Sequence, residues 1–336
     1  MSEQILLEKA TKNIQQILSG ALMLKQEETV LVVYDTETRL SRVLTEAYRR
    51  AAPDGVFLDF NEAGDAGVKS AIAERRAGDL VVLIQSTNFR LNEFRIRIEL
   101  FKHELKTIEH MHLNRITEEQ EERYIDTLAY DPSYYRPLGH ALKHRLDEAE
   151  EVVVECEDTV LTYASRMKSA KLNIGDYSEM QNVGGTFPIG EVFTEAEDLT
   201  AINGEVKIFA FAGLDLLARE YPPFLVRIQN GILEAGEDAP EEFLRVLDLI
   251  REDEPVVVRE FGLGLNPAIG KGRPLDDMTA FERMKGLHLS LGAKHGIYKE
   301  IAKKRGRYHV DVFVDIKRIL VNGKPLFENG DFTEVS

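Results

Sequence analysis

Two hydrophobic periods alternate through the first half of the chain. Leu6, Ala10, Ile14, Ile17 and Leu18 recur at helical spacing over residues 4–19, and Gly20 marks a stop, so an amphipathic helix is expected there. Residues 29–34 form a compact apolar run that reads as a buried strand. A helix over 38–52 follows, with Leu40, Val43, Leu44, Ala47 and Tyr48 on one stripe. The rhythm continues with a strand at 56–60, a helix at 64–77, a strand at 80–84 and a helix at 91–104. Such alternation predicts a parallel sheet whose right-handed crossovers place helices on both faces.

Thr117-Glu118-Glu119-Gln120 reads as a capping box opening an acidic helix, which Asp131-Pro132 ends. Another helix is expected over 136–149. The pattern shifts near residue 150. Val152–Glu155 is strand-like, and glycine-rich turns then separate β segments at 205–212, 225–229, 255–260 and 308–316, with helices at 214–220, 239–250 and 277–284. The expected layout is an α/β domain with a parallel sheet over 1–150 and a β-rich α+β domain over 151–336.

Charge narrows the partners. Across 336 residues, 42 Lys and Arg stand against 58 Asp and Glu, a formal net charge of -16. Such a surface repels phosphate backbones, and the basic run Lys303, Lys304, Arg305 and Arg307 is short, so no nucleic-acid partner is expected. The single cysteine, Cys156, excludes an intrachain disulfide and any cysteine-rich metal site. A metal here would rest on Asp, Glu and His. Residues 1–12 carry Glu3, Glu8 and Lys9 without an apolar core, so no signal peptide is expected. No apolar run reaches the ~18 residues of a membrane span, and a cytoplasmic location is expected.

The ends of the early strands carry Asp35-Thr36-Glu37 and Gln85-Ser86-Thr87-Asn88. Neither is followed by a glycine-rich phosphate loop, so a dinucleotide site is unsupported, and Thr36 or Ser86 is expected to cap a helix. His110 and His112 would share a face of a strand, without a carboxylate that the sequence fixes beside them. His140 and His144 stand at i and i+4 but lack the glutamate of a HExxH site.

The stronger candidates come later. A period of two over 308–316 puts His309 and Asp311 on one face and Val310, Val312 and Val314 on the other. An imidazole and a carboxylate side by side on a strand need a partner, and a divalent cation is one. Glu191 and Glu260 are each flanked by apolar residues and glycine, and His288 sits between leucines. Together, Glu191, Glu260, His288, His309 and Asp311 offer the oxygen and nitrogen donors that two close cations require.

At these residues the chain resembles the M29 metallopeptidases, the aminopeptidase T family. Pro188-Ile189-Gly190-Glu191-Val192-Phe193-Thr194, the run from Arg259-Glu260-Phe261-Gly262 to Asn266-Pro267, His288-Leu289-Ser290-Leu291-Gly292, and the His309 and Asp311 pair match four segments of that family in order. The resemblance implies that the β-rich α+β domain is metallopeptidase-like. It also implies that the five residues ligate two divalent ions (Zn, Co or Mn), with Glu260 bridging and catalytic. Seven residues after His288, where the family often has a tyrosine at the metals, this chain has His295. His295 either replaces that group or alters the catalytic arrangement. The activity that the resemblance implies is that of a metal-dependent aminopeptidase acting on a peptide or small amide. It further implies a homodimer, residues 91–147 offering amphipathic helices for the contact. Two other readings of the scaffold stand beside it. One is a non-peptidase metalloenzyme, either an amide hydrolase or an iron-dependent ring-opening dioxygenase. The other is a noncatalytic peptide- or partner-binding descendant.

Overall fold

The computed structural model describes residues 2–87, 89, 96–293 and 308–333. His295, Lys294, the basic run 303–307 and part of the helix expected at 91–104 lie outside them. In chain order the first elements are α1 (Glu3–Gln16), β1 (Val30–Tyr34), α2 (Arg39–Ala51), β2 (Val56–Asp59), α3 (Phe60–Ala73), β3 (Leu80–Ile84), α4 (Ile96–Lys102), β4 (Lys106–His110) and α5 (Glu121–Thr127). After α6 (Pro132–Asp147), β5 (Val152–Glu155), β6 (Val160–Tyr163) and β7 (Lys171–Asn173) comes β8 (Gly184–Phe187). The chain forms two compact units, Met1–Arg136 with Gly175–Ile189, and Pro137–Ile174 with Gly190–Ser336.

The first unit is the α/β part. Its sheet runs β2-β1-β3-β4-β8, with every pairing parallel. β3 is buried at all five positions, the continuous apolar run of a strand covered on both faces. Leu31 and Val33 of β1 and Val81 and Leu83 of β3 share a core with Val68 and Ile72 of α3. A five-residue π turn, Ile17–Ala21, continues α1. Helix α3 starts earlier than its apolar period suggested, because Asp59 accepts from the Asn61 and Glu62 N–H groups, and it breaks at Gly64.

Three local expectations change. Helix α2 is capped by Thr38, reciprocally with Ser41, rather than by Thr36. Ser86 instead donates to Asp35, which fastens the end of β3 to that of β1. Residues 117–120 form a turn closed by Gln120 N–H on the Thr117 carbonyl, so α5 begins at Glu121 without a side-chain cap. His112 has φ 55°, so the chain leaves the strand after His110 and the two rings do not share a strand face.

His110 is a core group. Its Nε2 lies 2.9 Å from the Tyr48 hydroxyl and its Nδ1 lies 3.1 Å from that of Tyr124, which in turn points at the Phe187 carbonyl. Burial pushes the imidazole down to about 3 from 6.5, so it is neutral, with one nitrogen donating and the other accepting.

The second unit is antiparallel and β-rich. It adds β9 (Glu191–Glu195), β10 (Ile202–Ala212), β11 (Ala218–Gln229), β12 (Ile232–Ala235), α7 (Glu241–Arg251), β13 (Val258–Gly264), α8 (Met278–Phe281), β14 (Gly286–Gly292), β15 (His309–Val314), β16 (Arg318–Val321), β17 (Lys324–Glu328) and β18 (Asp331–Phe332). The order is β18-β17-β16-β5-β6-β10-β15-β14-β13-β9-β7, with β11 and β12 branching from β10. No helix forms at 214–220. Gly213 and Leu217 close a turn, Asp215 binds Leu217 N–H and Arg219, and β11 starts at Ala218. Strand β13 reaches past the expected residue 260 to Gly264 despite its glycines. The helix expected at 277–284 is a single turn capped by Asp277. No described helix is long and apolar enough to cross a membrane.

Neutral His110 makes the fold acid-sensitive. The unfolded chain binds a proton near pH 6.5 that the folded chain takes up only near about 3, so stability is complete above 6.5 and falls as pH drops between the two. The expected slope is up to about 1.4 kcal/mol per pH unit. Urea unfolding from pH 7 downward checks it, and His110→Gln should flatten the slope.

Candidate metal centre

Four neighbouring strands, β9, β13, β14 and β15, carry the later sequence candidates. Gly264 pairs with Glu191, Gly262 with both Phe193 and His288, and Ser290 with Asp311. Directly opposed residues project from the same face of a sheet. One face therefore collects Glu191 from β9, Glu260 from β13, His288 from β14, and His309 and Asp311 from β15. The other side of β15 is valine, as its alternation predicted.

Two glycines make room on this face. A Cβ on Gly262 would lie 2.1 Å from His288 Nε2, so the imidazole occupies the space a side chain would fill. A Cβ on Gly264 would lie 1.8 Å from the Met284 carbonyl oxygen. That glycine admits the segment after α8, which Asn266 N–H fastens through the Arg283 carbonyl at 2.8 Å. The ladder between β13 and β14 is irregular between Val258 and Phe261, and there Glu260 N–H is bound by Ser290 Oγ at 2.9 Å. This irregularity aims Glu260 at the cluster.

Donor atoms fall into two groups, each within 4.8 Å: Glu191, Glu260 and His288, then Glu260, His309 and Asp311. Glu260 belongs to both. His288 Nε2 is 3.2 Å from Glu191 Oε1 and 3.6 Å from Glu260 Oε1, and His309 Nε2 is 3.3 Å from Asp311 Oδ1. Ligands about 2.0–2.1 Å from a tetrahedral zinc ion stand roughly 3.4 Å apart, so these spacings suit a cation between the donors. His309 Nδ1 donates to the Ala293 carbonyl at 2.9 Å, which turns the lone pair of Nε2 toward the cluster.

The polar atoms are buried and short of partners. Glu260, His288 and Asp311 are 6%, 1% and 1% exposed. Glu260 Oε2 and His288 Nδ1 have no hydrogen-bond partner among the described residues, and the partners of His288 Nε2 and the Asp311 carboxylate lie within the cluster itself, His288 with Glu191 and Glu260, Asp311 with His309 and Glu282. Orphaned atoms of this kind are costly in a core unless something else binds them. The donor set therefore fits a divalent cation.

Without a cation the charges lean on one another. Burial works against the His288 imidazolium, but the Glu191 and Glu260 carboxylates overcome it and push the ring up to about 10. His309 is likewise pushed up to about 10, against burial, by Asp311. Burial raises the Asp311 carboxyl, yet His309 and His288 bring it below the usual carboxylate range. Glu191 is also lowered, with burial opposed chiefly by Arg283.

Two further residues of this centre carry no motif of their own. Arg283 is buried, and its Nη1 meets Glu191 Oε2 at 2.6 Å and Glu282 Oε2 at 3.1 Å. Burial and Asp311 push the Glu282 carboxyl well above the usual range. Their only signal in the sequence is a charged pair, Glu282-Arg283, set between Phe281 and Met284 just before the His288 strand. His140 and His144 are outside the cluster, and His144 pairs with Glu148 on an exposed face.

No protein-family model and no curated protein matches the sequence. Solved structures do match in fold. The 2,5-dihydroxypyridine dioxygenase from Pseudomonas putida KT2440 is 15% identical, with a TM-score of 0.65 over 100% of both chains. Wild-type AmpT from Thermus thermophilus is 14% identical, with a TM-score of 0.60 over 97% of this chain and 99% of that one. The likeness is one of architecture: a parallel-sheet α/β part followed by an antiparallel β-rich part.

The Gly262 cradle gives a direct check. Gly262→Ala should displace the His288 ring and cost about 1–3 kcal/mol of stability. Urea unfolding and the His288 ring resonances in NMR would register both effects. Unchanged resonances in a fully stable variant would contradict the packing described.

Proposed function

We propose that the protein is a metal-dependent hydrolase of the aminopeptidase type, acting on peptides or small amides with two divalent cations held by Glu191, Glu260, His288, His309 and Asp311. The observation that carries this reading is the sharing of Glu260 between the two donor groups, with its Oε2 otherwise unpaired. A carboxylate so placed suits a bridge, since it lowers the repulsion between two close positive charges. The four segments resembling the aminopeptidase T family contain all five residues, and the fold shared with AmpT supports the same direction.

When bound, cations of this kind supply Lewis acidity, making water nucleophilic at neutral pH and polarising a carbonyl. The chain's own residues supply the rest. The sheet fixes the donors on four adjacent strands, the Ala293 carbonyl sets the His309 tautomer, and Arg283 holds one oxygen of Glu191. Zinc, cobalt and manganese all suit carboxylate and imidazole donors. His295, the other catalytic candidate, enters this proposal only through its place in the sequence.

The fold shared with a dioxygenase raises a second reading, an iron-dependent ring-opening enzyme. The donor set favours the hydrolase. Oxygen-activating non-haem iron commonly uses two histidines and one carboxylate, which His288, His309 and Asp311 could supply, but Glu191 and Glu260 add the carboxylates that a second cation needs.

Chelator-stripped protein, reloaded with zinc, cobalt or manganese, should cleave aminoacyl nitroanilides and short peptides and fail on substrates with a blocked amino terminus. Glu260→Gln should lower metal content and hydrolysis together, by about 10–100-fold or more. Full metal loading and full activity in that variant would remove Glu260 from the site. Oxygen consumption that requires ferrous iron, without hydrolysis, would favour the second reading.

Metal uptake should also expel protons. In the metal-free site both His288 and His309 are protonated at neutral pH, having been pushed up to about 10, and a cation needs the neutral nitrogen. Apparent affinity should therefore rise with pH up to about 10. Calorimetry in buffers of different ionisation enthalpy should detect one proton released per histidine.

A further inference from the structure

We infer that Arg283 makes the two metal positions unequal, so that the Glu260–His309–Asp311 position fills first and the Glu191–Glu260–His288 position binds its cation more weakly. The inference rests on the metal-site reading above and adds an order and a cause to it.

The geometry is asymmetric. Arg283 is 6% exposed, and its Nη1 lies 2.6 Å from Glu191 Oε2. Glu191 therefore commits one oxygen to a guanidinium and turns the other, Oε1, toward His288 Nε2 at 3.2 Å. An arginine keeps its charge at every accessible pH. A cation seated among Glu191, Glu260 and His288 would share a buried carboxylate with this fixed positive charge. Glu282 Oε2, at 3.1 Å, is a second acceptor on the same Nη1, and Glu191 has the shorter contact.

The other position has a different setting. Among the described residues, Arg283 is in contact with Glu191 and Glu282, and its charge reaches Glu260 and Asp311 less strongly. The Asp311 carboxylate is buried with His309 Nε2 3.3 Å from its Oδ1, and His309 is oriented by Ala293. Arg283 thus acts on the weaker position as a positioning residue for Glu191 and as a standing charge against a second dication. Its presence also limits the negative charge that the metal-free cluster must bury.

Titration of chelator-stripped protein with Co²⁺, followed by visible absorption and calorimetry, reads the two positions without an activity assay. Wild type should show two classes at least about tenfold apart in affinity, or one tight equivalent with the second unfilled. Arg283→Lys keeps the charge and should keep the gap. Arg283→Gln keeps a hydrogen-bond donor for Glu191 but loses the charge. It should tighten the weak class by about tenfold and the tight one by less, narrowing the gap. Glu191→Gln should abolish the weak class alone, and it serves as the test if Arg283→Gln does not fold.

Two equal classes in wild type would overturn the inference while leaving the metal site intact. So would an unchanged gap in Arg283→Gln, loss of both classes in Arg283→Gln and Arg283→Lys alike, or loss of the tight class in Glu191→Gln. No cobalt uptake by wild type would overturn the metal-site reading and the inference with it.

Discussion

Three carboxylates and two imidazoles crowd one face of an antiparallel sheet, with water largely excluded from Glu191, Glu260, His288 and Asp311. Burying like charges together is among the more expensive things a protein can do. Much of the surrounding structure makes sense as a response to that cost. Arg283 neutralises part of the negative charge, Gly262 gives the His288 ring a place, and Gly264 lets the segment bearing Arg283 reach the sheet. Ser290 takes up the Glu260 N–H that the irregular ladder would otherwise leave without a partner. None of these residues is a donor in the two groups, yet each decides where a donor can stand.

The fold alone does not choose a chemistry. Chains of the same architecture include a 2,5-dihydroxypyridine dioxygenase and AmpT, at 15% and 14% identity to this one. Chemistry on a shared fold is set by the side chains of the site rather than by the fold itself. In this chain the sheet face of the site carries three carboxylates and two histidines, with Glu260 common to both groups.

Much of this is legible in the sequence, for identifiable reasons. The strands β1, β3 and β5 are short apolar runs, and their limits are recoverable to within a residue. The alternation around His309 and Asp311 puts both on one face, where they are found. Other features are hidden because they depend on contacts distant in sequence. The turn at 213–217 is closed by a backbone bond and by Asp215, which override an apolar pattern that suggests helix. Glu282 and Arg283 resemble a solvated charge pair until β13 and β9 are brought beside them. His110 and His112 read as a pair along the chain, but the left-handed backbone of His112 itself takes its ring off the strand face.

Each compact unit is assembled from two separate stretches of chain. A fragment that stops at Arg136 lacks β8, whose partner in the sheet is β4. The row of backbone N–H and C=O groups along that side of β4 would then be open to any other extended chain, the situation that drives edge-to-edge aggregation. Gene truncation is therefore a poor route to either half. A circular permutant, or a graft carrying residues 175–189 on a short linker, is the form in which the α/β half has a complete sheet to fold.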